Sequence, residues 1–279
     1  MTLSDLRPFI ERHRRLFVIT GAGCSTDSGI PDYRDASGEW KRPPPIDFRH
    51  FMDSAPHRAR YWARSMIGWR HFGSARPNAA HYRLAELEQR GQVSVLVTQN
   101  VDGLHQAAGS RRVIDLHGRL DQVRCMACGH LEPRAMVQAM LERLNPEWLV
   151  LDAANAPDGD ADLDGHDFST FIIPPCPHCG GLLKPDVVFF GENVPRERVD
   201  RAYEALQDAD AVLVVGSSLM VFSGYRYVKA AAQAGLPVAA INLGRTRADP
   251  LLTLKLAEPC GQALDALASS DIPVRNAAA

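Results

Sequence analysis

Four of the six cysteines fall into two pairs, Cys125-Met126-Ala127-Cys128 and Cys176-Pro177-His178-Cys179. A glycine follows each pair, Gly129 and Gly180, and supplies the tight turn that points two thiolates at one ion. Four thiolates close the coordination sphere of Zn2+ and leave no position for water, so the expected zinc is structural. A redox role is the weaker alternative, because two CxxC motifs with matching glycines are hard to explain that way. Cys24 and Cys260 have no evident activating base and read as small packing or loop residues.

A second group of residues points to a nucleotide. The apolar run Leu16–Thr20 ends directly in Gly21-Ala22-Gly23, which opens the segment GAGCSTDSGIPDYR. Glycines let a backbone approach a pyrophosphate closely, and a helix start beyond them offers free N–H groups. The GxGxxG spacing of dehydrogenases is not met, because Thr26 stands where the third glycine would fall. A lone GxG is equally consistent with a plain turn. The attached Pro31-Asp32-Tyr33-Arg34 favours a ligand, since such a polar, aromatic and basic cluster has no obvious packing purpose. His117 follows the run Val113–Leu116 and precedes Gly118. Alone it reads as a structural histidine, but its place just before the cysteine module makes it a candidate general base.

These groups need a scaffold. The runs Val93–Thr98, Ala211–Val215 and Pro237–Ile241 each end in polar or glycine residues: Gln99-Asn100-Val101-Asp102, Gly216-Ser217-Ser218 and Asn242-Leu243-Gly244. Helical patterns lie between them, at Arg196–Asp208, at Tyr225–Ala234 and after Asn78, an N-cap behind Pro77, with Gly91 as the stop. Strands alternating with helices predict an α/β fold with a parallel Rossmann-like sheet, helices on both faces and ligands at the carboxyl ends of the strands.

Between roughly residues 119 and 184 the alternation lapses. Both cysteine pairs lie there, with an acidic loop holding Asp152, Asp158, Asp160, Asp162, Asp164 and Asp167. Residues 119–184 are therefore read as an inserted zinc module, and 1–118 with 185–279 as the nucleotide-binding domain. Pro43–Phe72, rich in Arg, His and aromatics, reads as a helical lid.

Composition narrows the partners. A net charge of −2 gives no overall attraction to nucleic acid or acidic membranes. The acidic loop and sparse basic or aromatic content argue against a nucleic-acid-reading knuckle. A calcium loop starting at Asp160 fails because its twelfth position is Phe171, not Glu. No apolar run is long enough to span a membrane, and the first residues lack an apolar secretion segment. Cytoplasmic residence and a monomer are expected.

Taken together, these residues resemble the sirtuin family along nearly the whole chain. GAGCSTDSGIPDYR looks like its nucleotide loop, TQNVDGLH (Thr98–His105) like its second signature, and Leu116-His117-Gly118 like its catalytic histidine segment. The cysteine pairs, KPDVVFFGE (Lys184–Glu192), Gly216-Ser217-Ser218-Leu219 and Ile241-Asn242-Leu243-Gly244 follow in family order. Tyr33, RYWARSMIGW (Arg60–Trp69), the long acidic loop and Ser223-Gly224-Tyr225 are similar to the class II branch, which includes lipoamidase and ADP-ribosyltransferase types.

The resemblance implies an NAD-consuming lysine deacylase, with protein mono-ADP-ribosyl transfer as the alternative use of one NAD site. Gly21, Ala22, Gly23 and Ser25 would lie near the pyrophosphate. Asp32 and Arg34 would order the loop at the nicotinamide end, with Tyr33 covering it. Gln99, Asn100 and Asp102 would line the nicotinamide and ribose pocket, and Gly216, Ser217, Ser218, Asn242, Gly244 and Cys260 the adenosine half. In that reading the acyl-lysine carbonyl oxygen would attack the ribose C1′, nicotinamide would leave, and His117 would act as base on a ribose hydroxyl. His117 and Asn100 are the candidate catalytic residues. The backbone around Val187, Phe189 and Gly191 would pair with the substrate peptide as an added strand. Tyr61 and Arg64, three apart on a helix, would receive the acyl group and favour acidic or long chains.

Overall fold

The computed structural model describes residues 3–41, 45–151, 159–163 and 165–268. Pro43 of the expected lid, Asp152, Asp158 and Asp164 of the acidic loop, and the alanine tail lie outside them. In chain order the elements are α1 (Leu3–Arg12), β1 (Leu16–Thr20), α2 (Phe48–Asp53), α3 (Ala55–Phe72), α4 (Ala79–Gln89) and β2 (Val93–Thr98). Next come α5 (Leu104–Ala107), β3 (Val113–Asp115), β4 (Gly118–Cys125), β5 (Leu131–Pro133), α6 (Arg134–Leu144) and β6 (Leu183–Val187). The chain then runs through α7 (Arg196–Gln207), β7 (Ala211–Val215), α8 (Phe222–Gln233), β8 (Val238–Ile241), β9 (Leu254–Leu256) and α9 (Cys260–Ala268).

Six parallel strands form the main sheet in the order β3-β2-β1-β7-β8-β9. Alternate side chains of β1 enter two different cores. Leu16 and Val18 pack in one with residues of α1, α4 and α9, while Phe17 and Ile19 pack in the other with residues of α7 and α8. A strand covered on both faces needs apolar residues at every position, and β1 and β7 are buried throughout. Helix α4 starts where its cap predicts: the Asn78 side chain accepts from the Ala80 N–H, and His81 Nδ1 accepts from the Asn78 N–H.

A smaller antiparallel sheet, β5-β4-β6, carries the cysteine knuckles. Its core also includes Phe51, Tyr61, Trp62, Met66 and Ile67 from α2 and α3. The helices expected as a lid form from Phe48 onward, and they serve as one wall of this second core. Arg134 ties α6 to α3: its guanidinium lies 4.9 Å from the Trp69 ring and donates to Gln138 and to the Ser65 carbonyl. Helix α8 begins three residues before the expected Tyr225, so Ser223 and Gly224 sit in its first turn.

Candidate active site

The sheet order reverses between β1 and β7, and the loops leaving these two strands part there to open a crevice. Gly23 and Gly216 meet at its floor, where the Gly23 N–H donates to the Gly216 carbonyl at 2.9 Å. Gly216 has φ +61°, and a Cβ on it would stand 2.3 Å from the Cys24 nitrogen, so only glycine fits. The loops enclose a cavity of about 720 Å3, within the range of cofactor sites. Its walls include Gly21, Ala22, Gly23, Ser25, Asp32, Tyr33, Arg34, Gln99, Asn100, Asp102 and His117. Gly216, Ser217, Ser218, Asn242, Gly244 and Cys260 line the arm toward β8, and Tyr61, Val187, Phe189 and Gly191 line the arm toward the small sheet. Arg64 is not among the lining residues. It faces Asp160 of the acidic loop at 3.9 Å, and that loop is tied to α3 by the Ala161 N–H donating to the Arg64 carbonyl.

His117 is held from both sides. Its Nδ1 lies 2.9 Å from the Gln99 carbonyl, an acceptor only, so Nδ1 carries the proton. The other nitrogen, Nε2, is then a lone pair, and the Ser223 hydroxyl donates to it at 2.7 Å. Burial pushes His117 down to about 4; the Gln99 bond opposes this, while Arg198 and Arg226 add to it. A neutral imidazole at the cavity wall, its Nε2 lone pair engaged by the Ser223 hydroxyl, is the protonation state a general base requires.

Around it a polar network fixes the floor. Asn100 Nδ2 donates to the Gly21 carbonyl at 3.1 Å and to Ser25 Oγ at 3.0 Å. Ser25 Oγ donates in turn to Asp102 at 2.7 Å. Burial raises Asp102, with bonds from the Leu104 N–H and Ser25 limiting the rise. Gln99 donates to Ser217 Oγ at 2.8 Å, joining the two halves of the cavity. Beneath the loop, Thr20 donates to Thr98, whose hydroxyl accepts from the Asn100 N–H, and His105 Nε2 lies 2.9 Å from the Thr20 hydroxyl. Cys24 and Cys260 are buried and their thiols are pushed up, Cys260 to about 12, so neither is a nucleophile.

The segment after Pro31 closes one side. Asp32 pairs with Lys41, and Arg34 donates to the Gly38 carbonyl while stacking 4.0 Å over Trp40. Tyr33, Trp40 and Phe190 form an edge-to-face aromatic cluster. The segment 187–191 is already partly bonded. The Val188 N–H donates to the His117 carbonyl, the Phe190 carbonyl accepts from Phe48, and Phe189 donates to Glu192. Lys184, buried, braces this turn through the Val187 carbonyl and Glu192 at 2.9 Å. Ser223 as the partner of His117, and Lys184 as this brace, were not visible in the sequence. Ser223 lies 106 residues from His117, with no spacing signal between them.

Cys125, Cys128, Cys176 and Cys179 converge in the small sheet. Two sulfurs bound tetrahedrally at about 2.3 Å from zinc stand roughly 3.8 Å apart. The Cys125–Cys179 and Cys128–Cys176 separations are 3.4 and 3.9 Å, so the donor set fits that ion. The four thiols act on one another: backbone N–H groups, first that of Cys128, lower Cys125, while at Cys179 the Gly181 N–H is outweighed by the neighbouring thiols, first Cys128, which raise it.

Comparison with known proteins agrees with this geometry. The model of the Sir2 family matches residues 21–223. The chain is 70% identical over 262 residues to the NAD-dependent protein deacetylase of Bordetella bronchiseptica, covering 94% of this chain and 96% of that one. It is 48% identical to the human mitochondrial NAD-dependent protein lipoamidase sirtuin-4, over 94% of this chain and 84% of that one. Among solved structures, a Sir2–p53 peptide–NAD+ complex superposes with a TM-score of 0.78 at 29% identity, covering 96% of this chain and 98% of that one. The class is thus an α/β fold of a six-stranded parallel sheet flanked by helices, with a small antiparallel sheet that carries four clustered cysteines. The chain belongs to the Sir2 family.

Proposed function

We propose that this chain is an NAD-dependent protein-lysine deacylase, and that the orientation of His117 is the observation that carries the reading. The residues present suit the dinucleotide: a glycine floor, a cavity of about 720 Å3 and polar side chains on its walls from Asn100 to Asn242. Bound NAD would supply the ribose electrophile and its hydroxyls. Gly21–Ser25 would hold the pyrophosphate, and Gly216–Ser218, Asn242, Gly244 and Cys260 the adenosine end. Tyr33 would cover the nicotinamide end over the network of Asn100 and Asp102. The lone pair on His117 Nε2, held toward the cavity by the Nδ1 bond to Gln99, would take a hydroxyl proton once Ser223 yields its place.

The acyl-lysine would enter between Val187–Gly191 and Tyr61. Ile46, Tyr61, Phe72, Leu120, Val101 and Phe189 line this arm, which supports a long apolar acyl chain. The acidic-chain expectation has less support, because Arg64 faces Asp160 and not the cavity. The four clustered cysteines would hold one structural Zn2+, and we read 119–184 as the zinc module, with 1–118 and 185–279 as the NAD domain. No helix among the described residues is long and apolar enough to cross a membrane. A cytoplasmic monomer acting on acyl-lysine proteins is the working assignment.

Nicotinamide release measured with and without acyl-lysine peptide tests the proposal. Acyl-dependent release, lost in His117→Ala, is expected. Release without peptide, with ADP-ribose label retained on protein, would replace deacylation by ADP-ribosyl transfer. A panel of acetyl, glutaryl and long-chain peptides should favour the long chains.

A further inference from the structure

The tip of the small sheet carries a second cluster of metal-binding side chains, distinct from the cysteines. His130, Glu132 and His178 each place a ligand atom within 4.8 Å of the others. Glu132 belongs to β5 and is fixed opposite Val123 of β4, while the His130 carbonyl accepts from the Cys125 N–H at 2.8 Å. His178 lies inside the second knuckle, whose turn is closed by the Gly180 N–H donating to the Cys176 carbonyl at 2.9 Å. Three side chains from two separate segments are thereby carried on backbone that is already hydrogen-bonded in place.

Both imidazoles aim Nε2 at one oxygen. His130 Nε2 lies 2.9 Å and His178 Nε2 3.2 Å from Glu132 Oε1, and the two rings stand 3.7 Å apart at their centroids. Nitrogen and oxygen ligands about 2.05 Å from a tetrahedral ion are roughly 3.3 Å apart. The present separations differ from that by a few tenths of an ångström. The histidine side chains are 38% and 54% exposed and the glutamate 16%, so the carboxylate forms the base and the open side faces water. One carboxylate needs only one imidazole partner to satisfy a charge. Two that converge on the same oxygen make a two-histidine, one-carboxylate donor set, which suits zinc, nickel or copper better than calcium or magnesium.

We propose that His130, Glu132 and His178 form a surface site for a divalent transition-metal ion of the zinc class, which staples the β5 segment to the second cysteine knuckle.

The test titrates ZnCl2 into purified protein that already holds one zinc per chain, with binding read by calorimetry and metal content by mass spectrometry. One further equivalent is expected, together with a metal-dependent rise in melting temperature. Glu132→Gln and His178→Ala should each weaken the added equivalent at least tenfold while the first zinc and acyl-dependent nicotinamide release stay unchanged. Should either variant lose the first zinc, His178→Asn, which keeps the size and a hydrogen bond, is read the same way. Copper(II) added to wild type should show two-nitrogen hyperfine coupling that the His130→Asn/His178→Asn double variant lacks. Binding that stops at one zinc, or an added equivalent of equal affinity in the double variant, overturns the proposal.

Discussion

Acidification to pH 5.5 should leave the proposed reaction nearly intact, because His117 is held neutral by burial at about 4. A histidine with the ordinary value of about 6.5 would be about 90% protonated at pH 5.5, and kcat/KM would fall roughly tenfold from its value at pH 7.5. With a value near 4, only about 3% is protonated, so the change expected from His117 is below about twofold. The assay is acyl-dependent nicotinamide release at subsaturating peptide, because kcat/KM reports the free enzyme. Stability must be followed alongside. His81 is also lowered by burial to about 4, so the unfolded chain binds its proton first as the pH falls. Its contribution is fully present well above pH 6.5 and is lost progressively toward pH 4, about 1 kcal/mol of it by pH 5.5. His105 shifts in the same direction, through burial and then the proximity of His81. Circular dichroism at pH 5.5 separates the two effects. A tenfold loss of kcat/KM with the fold intact would refute the His117 environment described above.

Three further outcomes follow from the geometry. Gly216→Ala should destabilise the protein by about 2–5 kcal/mol in urea unfolding, from a positive φ plus a Cβ forced against the Cys24 backbone, and weaken NAD binding more than tenfold. Wild-type stability in this variant would mean that the Gly23–Gly216 contact is not tight. Releasing zinc with a thiol reagent and a chelator should free one tight equivalent and lower the melting temperature, since the knuckles and α3 share a core. An unchanged melting curve would show the four thiols to be structurally idle. Ser223→Ala should change kcat/KM by less than tenfold and move its acid limb upward, because a donor to the neutral imidazole is lost. His117→Ala should lose about 100- to 10,000-fold, and equal losses in the two variants would make Ser223 part of the chemistry.

How much was legible in the sequence differs from element to element. β1, β2 and β7 showed as apolar runs because helices cover both sheet faces, and the structure keeps their ends unchanged. Helix α4 was legible from its cap and its glycine stop. β9 has three residues, too few for any periodicity to register, while β3 showed only as the short run before His117; the two complete the sheet edges. The floor of the site was readable because its residues follow strand ends directly. Its arm toward the small sheet was reached only through the family resemblance, which named Tyr61, Val187, Phe189 and Gly191 but not Leu120, because these residues come from distant segments. Tyr61 and Arg64 share a helix, yet Tyr61 lines the cavity while Arg64 does not and lies 3.9 Å from Asp160.

The sequence by itself determined which chemical groups stand at the carboxyl ends of the strands, and that four thiols sit on two knuckles. Those facts follow from local rules: strand runs end in glycine or polar residues, and a CxxC followed by glycine turns tightly. Only the tertiary structure decided which nitrogen of His117 carries the proton, and that Ser223 meets the other. These are contacts between residues far apart in the chain, and packing selects them with no spacing rule that a linear pattern could carry.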